Sequence, residues 1–153
     1  MSANTAPIFP LTPNVGFATI PTTNAQVKSN GVSAGTTTDV VYKAFTAGEN
    51  GSFVDKIRFS SVASAAATSS VATTLRAYLS TVAAPGATTA ADTWLLAEVT
   101  VPVTVSSHST NAANYFEVAL NIVVPAGYYI HVSQHVAQTT NQNWIAMVQG
   151  GNY

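Results

Sequence analysis

The sequence predicts an all-β protein, an antiparallel β-sandwich most compatible with a jelly roll, with an extended N-terminal arm. Three observations predict it. Apolar and β-branched residues recur in short runs of alternating polarity, the period of a half-buried strand. Turn signals separate these runs about every ten residues. No stretch sustains the i, i+3, i+4 spacing of a long amphipathic helix. The 153 residues are enough for one domain with its own core, and 47% of them are hydrophobic.

The first 37 residues differ from the rest. Pro7, Pro10, Pro13 and Pro21 interrupt them, and Lys28 is their first charge. Prolines at this density favour an extended backbone. Ile8, Phe9, Leu11, Val15, Phe17 and Ile20 are nevertheless apolar, which a disordered tail would not normally carry. Residues 1–37 therefore read as an arm lying in a groove, on its own domain or on a neighbour. The alternative is an ordinary N-terminal strand on its own sheet.

Residues 38–153 read as the sandwich domain. TDVVYKAFTA (38–47) is a strand, and GENGS (48–52) follows it. Asn50-Gly51 is a hairpin signal, because both residue types tolerate positive φ. In FVDKIRFSSV (53–62), Phe53, Asp55, Ile57 and Phe59 share one parity, and Val54, Lys56 and Arg58 the other. That is a half-buried strand with a basic outer face, on which Asp55 is the inward exception. ASAAATSSVA (63–72) reads as a loop, TTLRAYLSTV (73–82) as a strand and AAPGATTAADT (83–93) as a loop. WLLAEVTVPVTV (94–105) is a long strand in which Pro102 marks an edge or bulge. YFEVALNIVV (115–124), YYIHVSQHVA (128–137) and WIAMVQ (144–149) complete about seven strands. A strand from the arm would make the eighth of a jelly roll. An immunoglobulin-like sandwich is the alternative topology.

The composition excludes several functions. Charged residues are 7% of the chain, against about 25% in an average soluble domain. Such a surface repels itself little, so copies can sit side by side without electrostatic cost. Lys28, Lys43, Lys56, Arg58 and Arg76 are too few and scattered for a phosphate-tracking surface, so no nucleic-acid partner is expected. No run approaches the ~18 apolar residues of a membrane helix, so no membrane is expected either. The opening MSANTAPIFPLTPNVGF has neither the basic start nor the apolar run of a signal peptide. There is no cysteine, hence no thiolate ligand or nucleophile.

His131 and His135 stand four residues apart, a spacing that chelates metal on a helix. On a strand rising ~3.3 Å per residue they lie roughly 13 Å apart. Ligand nitrogens sit ~2 Å from a zinc ion, so one ion cannot reach both. His131, Ser133 and His135 read instead as a polar strip on the outer face of the strand. His108 lies in the loop SSHST, and no G-x-S-x-G is present to supply a nucleophile elbow. Asp39, Glu49, Asp55, Asp92, Glu98 and Glu117 stand in no recognisable acid–base setting. The reading is therefore not an enzyme, with no catalytic residue, metal or cofactor. Tyr128, Tyr129, Trp144 and Tyr153 are candidates for a core or an oligomer interface. Trp94 and Trp144 beside polar loops could alternatively stack on a sugar.

The segments VPAGYYIHVSQHVA and NWIAMVQGGNY carry a resemblance. A Pro-Ala-Gly hairpin, an aromatic strand, a Trp-bearing strand and a closing Gly-Gly-Asn-Tyr resemble the end of capsid decoration, or cement, proteins of tailed bacteriophages. The match covers about residues 115–153, and the low charge and Pro-rich arm are similar as well. The resemblance implies a homotrimer on the outer surface of an icosahedral head, made in the host cytoplasm and bridging major capsid protein subunits. It brings no catalytic residues. The other expectation is a receptor- or glycan-binding module of a tail fibre or spike.

Overall fold

A computed structural model describes residues 9–22, 41–64, 68–83, 93–107, 109–110 and 112–153. The chain is all-β, with no helix among the described residues. Its strands are β1 (Thr12–Ile20), β2 (Tyr42–Thr46), β3 (Ser52–Ala63), β4 (Thr68–Ser69), β5 (Thr73–Ser80), β6 (Thr93–Val101), β7 (Val105–Ser106), β8 (Tyr115–Val124), β9 (Tyr129–Gln134) and β10 (Gln142–Asn152). Two four-stranded antiparallel sheets, β1-β10-β3-β8 and β2-β9-β5-β6, pack face to face, and β4-β7 is a small ribbon. The antiparallel sandwich expected from the alternation is the architecture found.

One face of each main strand supplies the core. Ile20, Phe45, Ile57, Phe59, Leu75, Ile130 and Trp144 are buried between the sheets. Each such side chain is worth about 1.5–3 kcal/mol when removed from water. The matching alternation in YFEVALNIVV, with Phe116, Val118, Leu120 and Ile122 packed inward, fixes β8 over the range expected of it.

The arm expectation is corrected where it can be seen. Residues 12–20 form β1, which pairs with β10 from Thr12↔Asn152 to Ile20↔Trp144 without a register break. The sandwich therefore begins well before residue 38. Its ends are tied down. Asn14 Nδ2 donates to Asn152 Oδ1 at 2.7 Å and to the Thr46 carbonyl at 3.1 Å. At the far end, Gln134 Nε2 donates to the Pro21 carbonyl at 2.7 Å, and the Gln138 N–H donates to that of Thr22 at 2.7 Å. Ile20 is fully buried, so it is a core residue and not an arm contact. Apolar side chains on alternate residues of 12–20 outweighed the proline signal, because Pro13 stands only at the strand's start. Ile8 and the remainder of residues 1–37 outside 9–22 lie outside the described residues.

Three further expectations are corrected. Asn50-Gly51 does not close a hairpin, since β2 and β3 lie in different sheets. A two-residue type I′ turn needs positive φ at both positions. Here Gly51 has φ 89° while Asn50 does not, and the chain crosses between sheets. The Pro125–Gly127 turn is tight, with Tyr128 N–H donating to the Pro125 carbonyl at 3.2 Å, but it also crosses sheets and is no hairpin. Asp55 does not point inward. β10 pairs Gln149 with Lys56 and Gly150 with Val54, and β8 likewise skips Asp55. The bulge turns the carboxylate out and lets Val54 into the core. Strand β6 stops at Val101, one residue before Pro102, which cannot donate to the ladder.

Ile20→Ala is expected to lower the unfolding free energy by about 2–5 kcal/mol in urea titrations. A chain lacking residues 1–22 is expected to lose cooperative unfolding. A truncated chain as stable as the full one would show that β1 is dispensable to the sandwich.

Candidate functional site

Two surfaces carry the unusual chemistry, one on the outer side of each sheet. On the β2-β9-β5-β6 sheet, β9 and β5 are central strands, and their register sets Arg76 beside Ser133 and Tyr78 beside His131. The expected polar strip on β9 exists, but His131 and Ser133 are fully buried instead of facing solvent. The chain leaving β5 folds back, and Val82 brings its carbonyl to 2.8 Å from His131 Nε2. Nε2 must therefore carry the proton, and Nδ1 has no hydrogen-bond partner among the described residues. Tyr129 packs edge-on against the ring at 6.5 Å, and Lys43 lies 5.4 Å over the Tyr129 ring.

Neighbouring side chains complete a polar row. Tyr78 OH and Ser133 Oγ are 3.1 Å apart. Arg76 places Nε 3.2 Å from Glu98 Oε2 and a terminal nitrogen 3.2 Å from His135 Nδ1. Burial pushes the Tyr78 phenol up, against the pull of Ser133 and Arg76. Burial also holds His131 below the usual imidazole value, opposed by the Val82 carbonyl and reinforced by Lys43. Ser133 faces a phenol and not an imidazole base, the Val82 carbonyl holds His131 at Nε2, and Arg76 lies beside His135. No three of the His, Asp and Glu side chains among the described residues converge as a metal ligand set. His108, Asp39 and Asp92 lie outside the described residues.

The second surface is the outer side of β1-β10-β3-β8, and it divides in two. Toward β8 the charges pair with one another. Lys56 Nζ is 3.2 Å from Glu117 Oε1, Arg58 Nε is 4.0 Å from the same oxygen, and the Arg58 guanidinium lies 3.7 Å over the Tyr115 ring. Exposed pairs of this kind add little stability, about 0–1 kcal/mol each, and only with the outward Asp55 do the charges of this face balance. β1 itself carries no charge, although Lys43 shares a groove with Val15 and Phe17 and Asp55 adjoins Leu11. Val15 and Phe17 stand opposite Gln149 and Met147, and Thr19 opposite Ile145. Phe9, Leu11, Val15 and Phe17 are 71%, 82%, 56% and 75% exposed. At its lower end this strip opens into a cavity of about 380 Å³ between Pro10, Leu11, Pro13 and Phe53, with Asp55 as its one charged residue.

The expected site residues thus separate. Four of the arm residues are assembled on one exposed strip, and Ile20 is in the core. Trp144 is buried against Phe116 at 6.0 Å, so it is a core residue and not a sugar platform. Tyr129 and Tyr153 are half-buried. Tyr128 stacks on Trp94 at 6.5 Å and 25°, and Trp94 is 45% exposed. Asn152 of the closing motif is a clamp, accepting from Ser52 Oγ at 2.6 Å as well as from Asn14. Ile145, Met147 and the Asp55 bulge were missed as parts of the strip. The parity of β10 could have revealed the first two. Compared with known protein families, curated proteins and solved structures, the chain matches none.

His131 makes stability depend on pH, and the sign follows from its depressed folded-state pKa. Above the ordinary value near 6.5 both folded and unfolded chains hold it neutral, and its contribution is complete. As pH falls below that value the unfolded chain takes up the proton first, so stability declines until the folded protein also protonates. Denaturant midpoints are expected to drop between neutral and mildly acidic pH in the wild type and to drop less in His131→Gln. An identical slope in both would show that His131 is not the group responsible.

Proposed function

We propose that this chain is a structural protein of a bacteriophage virion, decorating the outer surface of an icosahedral head and bracing neighbouring major capsid protein subunits. The observation that carries the reading is the uncharged apolar strip of Phe9, Leu11, Val15 and Phe17. Monomeric proteins seldom leave such residues contiguous unless another molecule covers them. Val15 and Phe17 are held in β1 by its unbroken ladder to β10, so a partner can grip them with little ordering cost. The strand pairs β1–β10, β2–β9, β3–β8 and β5–β6 support reading the sandwich as a jelly roll, four antiparallel pairs wrapped around one core.

The mechanism is mechanical. Neutral contacts repeated over many copies resist the separation of adjacent subunits, and no step in it is catalytic. A second reading, a glycan-binding module, is favoured by Trp94 stacked on Tyr128 with nearly half its surface open.

A protein inventory of purified particles is expected to contain this chain in many copies. Absence, or a few copies only, would remove the decoration reading. Attachment is expected to change little between about 0.05 and about 0.5 M salt, because charges contribute little to it. Steep salt sensitivity in co-sedimentation would contradict the strip as the contact. Binding to a glycan array that is abolished by Trp94→Ala would favour the second reading.

A further inference from the structure

We propose that the outer edge of β1 is a self-association edge, along which two copies of this chain pair β1 to β1 about a two-fold axis. The proposal rests on the reading of the β1 strip as an assembly surface and names its occupant.

The argument compares the four edge strands, β1 and β8 in one sheet and β2 and β6 in the other. An edge presents unpaired backbone groups, and proteins guard it with short strands, charges, prolines or bulges. Strand β2 has five residues, carries Lys43 and breaks register at Ala44. Strand β6 carries Glu98, breaks register at Leu96 and runs into Pro102. Strand β8 carries Glu117 and breaks register at Leu120–Asn121, where Asn121 has φ 50°. Strand β1 has nine residues, an unbroken register and no charge, and Pro13 guards only its start. No further strand lies beyond it among the described residues.

The edge itself selects the occupant. Residues 9–20 contain no ionisable side chain, nor do Ile145, Met147 and Gln149 beside them, while Lys43 of β2 shares a groove with Val15 and Phe17, and Asp55 lies beside Leu11. The backbone of an edge strand is self-complementary in antiparallel pairing, and a second copy brings the same long, regular, apolar edge. Geometry selects the symmetry. A head-to-tail ring would have to join β1 to one of the three guarded edges, so β1 meets β1 and the contact is two-fold. The nine residues overlap fully only about the middle one, Gly16. Val15 of one copy then faces Phe17 of the other, and the two four-stranded sheets become one of eight strands. The expected trimer gives way to a dimer.

The test uses the full chain. Light scattering is expected to give twice 15.8 kDa for the wild type and 15.8 kDa for Phe17→Lys, with an unchanged circular dichroism spectrum. Val123→Lys, on the outer side of guarded β8, is expected to remain dimeric. Because the chain has no cysteine, a mixture of Val15→Cys and Phe17→Cys chains can be oxidised cleanly. It is expected to cross-link faster than either variant alone. A monomeric or trimeric wild type overturns the proposal, as does a Phe17→Lys protein of unchanged mass. If Phe17→Lys fails to fold, absence of the mixed cross-link overturns it. A dimer missing from virions would keep this inference and remove the decoration reading.

Discussion

The apolar layer between the two sheets is the constraint from which the rest follows. Trp144, Phe45, Phe59, Ile57 and their neighbours can be dry only if every main strand shows one face to that layer. The chain meets this by changing sheet at nearly every connection, with β5 and β6 the consecutive main strands that stay together. Turns that cross between sheets leave polar groups at the two ends of the layer. Buried amides and hydroxyls satisfy them there. Asn152 gathers Asn14 and Ser52 at one end, and Gln134 and Gln138 hold the exit of β1 at the other. An unpaired buried polar group costs about 1–3 kcal/mol, so these clamps matter more than the exposed ion pairs.

A surface with so little charge has to organise what charge it owns. Lys56 and Arg58 share Glu117 on one sheet, where the outward Asp55 completes the balance, and Arg76 pairs with Glu98 on the other. The apolar strip along β1 carries no charge of its own and has only Lys43 and Asp55 at its borders. Thr, Ser and Asn supply the remaining polarity without a long-range field. The two outer faces are thus dissimilar, one sealing a polar row beneath a returning loop, the other leaving hydrophobic side chains uncovered.

Much of the fold was legible because alternation is local. The strand over 115–124 could be read to the residue, since its two faces differ sharply in polarity. What failed depended on partners. Parity made Asp55 an inward residue, and only the ladders on both sides reveal the extra residue that turns it out. The strip on β9 was expected to face water, and the residues that cover His131 come from the far end of β5, 49 positions away. Strand β1 was hidden by its prolines, and the strand that holds it, β10, lies at the other end of the chain. The candidate surface was legible only as a set of misplaced hydrophobic residues in an arm. Its apolar companions Ile145 and Met147 join it through a pairing that no short window contains.

The β1–β10 ladder also imposes a timetable. Its partners are more than about 120 positions apart, so loop closure precedes any gain from the pairing. At about 5–20 residues per second, β1 emerges on the order of ten seconds before the strand that will hold it. β10 sits between β1 and β3, so that sheet cannot be completed in stages from its first strand outward. Through that interval the side chains of Phe17, Val15 and Ile20 have no sheet to join. Folding of this domain is therefore slow and late for topological reasons, and the nascent chain is most vulnerable to mispairing along the stretch that the finished protein still leaves uncovered.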